Sequence, residues 1–247
     1  MKNKISYTFL LASILLLAPG FLAAQELPKS TLSPFEQKLL IGFSYQNYWT
    51  TIAGNNLPQS YFYKPSLGVS VKAEYYPWSF IGLSVGAGFQ QRGAGIMSPD
   101  LDQTPGNADS TYRKRLRFNS VEFPISLLLR TPKDLVKGLR LKVSAGIVPM
   151  INTQSNQVFL SIEDGNHTST DVSIDYWKND LAYQLTVGPE INTGSGILQI
   201  DFIYSSGTKN VYNSSNAIGY NQSLGFKLSF LFPCFSKKST STTSLSK

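Results

Sequence analysis

Ionisable residues recur at alternate positions along this chain. They are Lys72 and Glu74, Arg92, Glu122, Arg130, Arg140 and Lys142, Glu190, Asp201 and Lys227. Six cations and four anions brought into one enclosed space have two possible uses. They can pair as a salt-bridge network, because a buried charge must be paired or hydrogen-bonded. In a wide enough channel they can also pass ions or protons. A second group, Arg113, Lys114, Arg115 and Arg117, is nearly contiguous. Guanidinium groups bind phosphate through forked hydrogen bonds, so this cluster suits a phosphorylated surface such as lipopolysaccharide. The alternative is a solvated rim, the usual fate of a charge cluster. The third candidate is His167, in Asp164-Gly165-Asn166-His167-Thr168-Ser169. Acyl transfer needs His within hydrogen-bond reach of a Ser and an orienting carboxylate. Ser and Asp are common in polar loops, so the expectation is a solvated loop histidine and no catalytic site. With one His and one Cys (Cys234), a Cys/His zinc site and a disulfide framework are excluded within one chain. The Gly-rich run 82–88 lacks the Lys-Ser/Thr of a phosphate loop. No metal or cofactor is called for.

Composition bounds what can position these groups. The chain has 247 residues, 42% of them hydrophobic and only 15% charged. A soluble domain carries about 25% charge. Aromatics reach 13%, which argues against disorder, and the sequence lacks the Ala/Glu/Lys/Leu bias of a coiled coil.

The N-terminus reads as an export signal. Met1-Lys2-Asn3-Lys4 is a positive start, 5–18 is apolar, Pro19-Gly20 breaks the run, and Ala23-Ala24 precedes Gln25. That is the three-part layout of a cleaved signal peptide over 1–24. Removing Lys2 and Lys4 lowers the formal charge of +7 by two. No later stretch is apolar enough for a membrane helix, but barrels also span membranes.

The remaining chain alternates with a period of two. Leu67, Val69, Val71, Ala73 and Tyr75 alternate with Gly68, Ser70, Lys72 and Glu74. Ile81 to Phe89, Val121 to Leu129, Leu139 to Ile147, Leu181 to Val187, Leu198 to Tyr204 and Leu224 to Phe232 repeat the pattern, as does Leu39 to Tyr45. This gives eight strands, each with an uncharged greasy face. A tilted membrane strand needs about 9–11 residues, close to these lengths. The connections alternate too: 48–65, 93–115, 152–178 and 206–218 are long, whereas 77–79, 131–137 and 192–195 are short. Long loops outside and short turns in the periplasm are the habit of outer-membrane barrels. Tyr45, Tyr48, Trp49, Tyr75, Tyr76, Trp78, Tyr176 and Trp177 gather at strand ends, where aromatic girdles form. A soluble ligand-carrying barrel would need a Lys/Glu-rich outer face, whereas the polar face here is mostly Gly, Ser, Thr and Gln. The reading is an all-β, eight-stranded, antiparallel up-and-down transmembrane barrel with a filled polar lumen. Pro124 and Pro189 each require a bulge or break, since proline cannot donate to the ladder.

The run Arg117-Phe118-Asn119-Ser120-Val121-Glu122-Phe123-Pro124-Ile125 resembles the "R-x-N-[aromatic or small]-[apolar]-E-[apolar]-P" strand of the PorT-like outer-membrane barrels of Bacteroidota. Residues 141–149, 187–210 and Gly225-Phe226-Lys227-Leu228-Ser229-Phe230 are similar to later strands of that family. The resemblance implies export, outer-membrane location and assembly by the barrel-insertion machinery. One namesake group is tied to protein secretion. The expected layout is a signal peptide 1–24, a periplasmic segment 25–37, a barrel 38–232 and a Ser/Thr/Lys-rich tail 233–247. The expected role is structural or interactive, non-enzymatic and without an open pore. Its partners would be outer-membrane lipid and lipopolysaccharide, and a protein reached through the extracellular loops. The competing readings are an accessory part of a secretion apparatus and a lipid hydrolase or acyltransferase. Nucleic acid is an unsuitable partner, because the basic residues are dispersed and the chain is exported.

Overall fold

A computed structural model describes residues 33–57, 60–97, 112–161, 167–171, 178–212 and 218–234. A one-turn 3-10 helix, Pro34–Glu36, comes first. The strands follow in order: β1 (Leu39–Asn55), β2 (Ser60–Phe62), β3 (Lys64–Tyr75), β4 (Ile81–Met97), β5 (Tyr112–Glu122) and β6 (Ile125–Arg130). After them come β7 (Leu139–Ser161), β8 (His167–Asp171), β9 (Asn179–Asn192), β10 (Ile197–Gly207) and β11 (Ile218–Pro233). All pairings are antiparallel. β1 pairs with both β3 and β11, so the sheet closes on itself.

β5 and β6 are one wall strand, standing together between β4 and β7. Pro124 splits them, and neighbouring backbone covers the gap. Gly86 N donates to Pro124 O at 2.9 Å, and Phe123 N donates to Pro149 O at 2.9 Å. Counting β5–β6 once gives eight wall strands, with β2 and β8 as additions outside the wall. Pro189 acts more locally. Its ladder to β7 continues through Leu141, while the β10 register passes from Glu190 to Val187 without pairing it.

The two faces of the wall are inverted relative to a soluble protein. In β3, Val71 is 61% exposed while its neighbours Lys72 and Glu74 are 8% and 1% exposed. Apolar side chains face outward because lipid is their solvent, and polar ones fill the interior.

The wall is uneven in height. β4, β5 and β7 run well past the apolar row of Phe89, Val121 and Ile151, whereas β9 and β10 stop soon after their exposed apolar residues. β2 pairs with the top of β4, and β8 with the top of β7. Much of what reads as loop in 93–115 and 152–178 is therefore strand. The greasy alternation ends where lipid ends, but the backbone pairing does not, so periodicity alone stops short. His167 likewise opens β8, paired with Leu160, rather than standing in a loop. At the C-terminal end, Pro233 still pairs with Leu40, one residue beyond the expected barrel limit. The signal peptide 1–24, Tyr176, Trp177 and the tail from 235 lie outside the described residues.

Candidate functional site

Nine of the ten alternating ionisable residues meet inside the barrel, in two groups. The inner group has Lys142 of β7 at its centre. Its Nζ lies 3.4 Å from Asp201, 3.6 Å from Glu74 and 4.0 Å from Glu190. Each carboxylate also has a second cation: Lys72 at 2.9 Å from Glu74, Lys227 at 3.8 Å from Asp201, and Arg130 at 3.8 Å from Glu190. Gln199 ties two of the acids together, donating to Glu74 at 3.1 Å and Glu190 at 2.7 Å. It also accepts from Lys72. Tyr76 donates its hydroxyl to Glu74 at 2.9 Å. The three carboxylates are essentially unexposed, so only these partners offset their lost hydration.

The outer group is smaller. Arg92 stands 3.5 Å from Glu122 and donates to Gln90 at 3.0 Å and Ser205 at 3.5 Å. Tyr48 donates to Gln46, which donates in turn to Ser70 at 3.1 Å. Between the groups, hydroxyls pair across strands: Ser44 with Ser229 at 2.9 Å and Ser144 with Thr186 at 2.7 Å. A cavity of about 20 Å³ remains there, lined by Ser44, Ser70, Ser126, Ser144 and both groups' edges. That suits about one water molecule.

Apolar clusters cover both ends of this polar interior. On the outer side Ile52, Ala94, Ile96, Leu116, Phe118, Val211 and Tyr212 pack together. On the periplasmic side Phe35, Leu40, Tyr76, Leu128, Ile197 and Leu231 do so. Phe35 is delivered by the 3-10 turn, which Ser33 and Glu36 close as a capping box. Arg130 donates to Phe35 O at 2.7 Å and to Ser79 O at 2.8 Å, and its guanidinium stacks 3.7 Å from the Tyr76 ring centre.

Arg140 departs from expectation. It leaves the lumen network for the periplasmic mouth, stacking 4.4 Å over Phe35 and pairing with Asp134 at 2.8 Å. The physical reason is position. Arg140 is the second residue of β7, and its long side chain reaches the turn more readily than the lumen centre. Within the expected periplasmic segment 25–37, Phe35 is packed in the mouth of the barrel. Gln199, Tyr76, Phe35 and Asp134 were not singled out by alternating charge. A signal existed for two of them: Gln199 sits on the inward set of β10, and Ser33-Pro34-Phe35-Glu36 is a capping-box sequence.

Outside, Arg115 and Arg117 stand on the outward set of β5, opposite Gly95 and Gly93. Arg113 and Lys114 stand in β5 opposite Leu160 and Phe159, and their side chains lie outside the described set, as does that of His167.

The outer membrane protein beta-barrel domain model matches residues 23–230. The chain belongs to that family. No curated protein matches the sequence. Among solved structures, Ail of Yersinia pestis, in complex with the heparin analogue sucrose octasulfate, is 12% identical. The match covers 79% of this chain and 99% of Ail, with a TM-score of 0.38. Neisserial surface protein A is 7% identical over 78% of this chain and 96% of its own, with a TM-score of 0.41. OprG of Pseudomonas aeruginosa is 8% identical over 78% and 96%, with a TM-score of 0.42. As a member of an outer-membrane barrel family, this protein is an outer-membrane protein.

Proposed function

We propose that this barrel is a closed, non-enzymatic scaffold whose working surface is the extracellular end of its wall. One observation carries the reading: the lumen is crossed by ion pairs and covered by apolar side chains at both ends, which leaves a cavity of about 20 Å³. Eight strands enclose side chains rather than a channel. The outer ends of β4, β5 and β7, by contrast, offer extended backbone and charged side chains to the medium. The PorT-like resemblance and the signal-like 1–24 support export and barrel insertion in the manner of that Bacteroidota family.

Planar-bilayer recording tests the reading. The purified protein is expected to give no stable conductance steps. Large, stable steps would replace the closed scaffold with a pore. The non-enzymatic part is tested by His167→Ala, which is expected to leave the lipid A profile of the host membrane unchanged.

A further inference from the structure

The outer wall of β4, β5 and β7 is layered by register. Phe89, Val121 and Ile151 form the last apolar row, with Phe89 44% and Ile151 41% exposed. The next outward row holds Gln91, Asn119 and Gln154, with the extra residue of β7 taken up by a register shift beside Asn119. They form an amide chain: Gln91 donates to Asn119 at 3.4 Å, and Asn119 donates to Gln154 at 3.1 Å. The next row holds Gly93, Arg117 and Asn156, and the one beyond holds Gly95, Arg115 and Val158. Rows two residues apart are separated by about 6.8 Å along a strand. The wall therefore passes from greasy to amide to cationic within a few residues.

Two details give the cationic rows a shape. Gly93 has φ +119°, and a Cβ there would lie 2.1 Å from Leu116 O, so this position opposite Arg117 carries no side chain. The Phe62 ring fills the equivalent space over Gly95. The notch is thus confined to the Arg117 row, where the Asn156 Oδ1 is buried without a hydrogen bond. Lys64 stands apart from these rows: it is buried on the inward set of β3 and donates to Arg92 O at 3.0 Å. Across β7 the backbone of the Arg117 row continues to β8, where Asn156 pairs with Asp171.

We propose that this wall docks one phosphorylated glycolipid of the outer leaflet. Its acyl chains would lie on the Phe89–Val121–Ile151 row, its sugar and acyl linkages against the amide chain, and a phosphate at Arg117 and Arg115. The order of chemistries up the wall is the order within such a lipid, and guanidinium groups grip phosphate oxygens by paired hydrogen bonds. The proposal rests on the outer wall being the working surface. It specifies the ligand class and assigns the phosphate to Arg115 and Arg117 of the basic cluster.

The test uses the full barrel in detergent with three probes: bisphosphorylated lipid A, the same lipid without phosphates, and inorganic phosphate. Heat-modifiable migration on a gel checks that each variant is folded. The unmodified protein is expected to bind the bisphosphorylated lipid at least about tenfold more tightly than the dephosphorylated one. That ratio corresponds to about 1.4 kcal/mol. The combined change Arg115→Gln with Arg117→Gln is expected to remove that preference, and Asn119→Ala to weaken binding of both lipids. Lys133→Gln, in the periplasmic turn, is expected to change nothing. Unchanged affinity in the double variant, or equal binding of the two lipids, would overturn the proposal. Displacement of the lipid by millimolar inorganic phosphate would also overturn it, in favour of a free-anion site. A barrel that stays closed in bilayers while failing these arms loses the lipid site and keeps the closed scaffold.

Discussion

The inner and outer halves of the lumen solve the same electrostatic problem differently. In the inner half, every carboxylate touches two cations, and Lys142 is common to Glu74, Glu190 and Asp201. In the outer half, Arg92 and Glu122 have only each other as opposite charges among the described residues. Arg92 Nε, Glu122 Oε2 and Gln90 Nε2 there lack hydrogen bonds. A shared network spreads its dependence over many strands, since the inner group draws on β3, β6, β7, β9, β10 and β11. The outer ion pair joins only β4 and β5, with a single hydrogen bond from Arg92 reaching Ser205 of β10. The inner half should therefore be hard to remove in parts, and the outer pair removable as a unit.

The largest effect is expected from Lys142→Met. It leaves three buried carboxylates with one cation each, and breaking a buried ion network costs about 3–5 kcal/mol. Urea unfolding of the barrel in lipid measures it. Adding Asp201→Asn is expected to recover little, because Glu74 and Glu190 still lack their common partner. Next comes Arg92→Met, expected to cost about 3 kcal/mol through the stranded Glu122. Here the second change, Glu122→Gln, is expected to restore most of the loss. The two double-mutant cycles state the contrast directly. Equal recovery in both halves would mean that the inner group is a set of separate pairs.

How much of this was legible follows from which force writes the pattern. The wall strands were legible because lipid on one side and packing on the other impose a strict period of two. The membership of Lys72, Glu74, Glu122 and Asp201 in one interior followed from the same period. Which acid meets which base was not legible, because it depends on strand stagger around a closed ring. Lys142 reaches Glu74 only through that stagger. The outer extensions of β4, β5 and β7 escaped for a different reason: Arg115 and Arg117 occupy outward positions that lipid no longer touches. Pro124 was legible as a break, since no backbone context gives proline a donor.

The two seals offer a smaller contrast. The outer cluster is built mainly from wall strands β1, β4 and β5, so it cannot leave without unfolding the barrel. The periplasmic seal depends on Phe35, which lies before β1. Phe35→Ala is expected to cost about 2 kcal/mol. That is less than the ~3–5 kcal/mol of a buried core Phe, because undocking of the short turn limits the loss. The variant should remain non-conducting, since the outer cluster stays. Conductance in Phe35→Ala would show that the outer cluster does not seal.

The smallest effect belongs to Asp134, which holds Arg140 over the Phe35 ring from the periplasmic turn. Hydrogen bonds from Arg140 and from Gly138 N keep its carboxyl below the ordinary aspartate range. The sign follows from linkage: a depressed acid contributes stability above its ordinary value, and loses that contribution as pH falls through its folded value. The side chain is exposed, so solvent screens most of the interaction. NMR titration should place the Asp134 midpoint below that of a free aspartate, and Arg140→Gln should move it upward. A midpoint at the ordinary value would mean that Arg140 is held by Phe35 alone. The periplasmic seal would then keep its stacking at every pH, with no contribution from the turn.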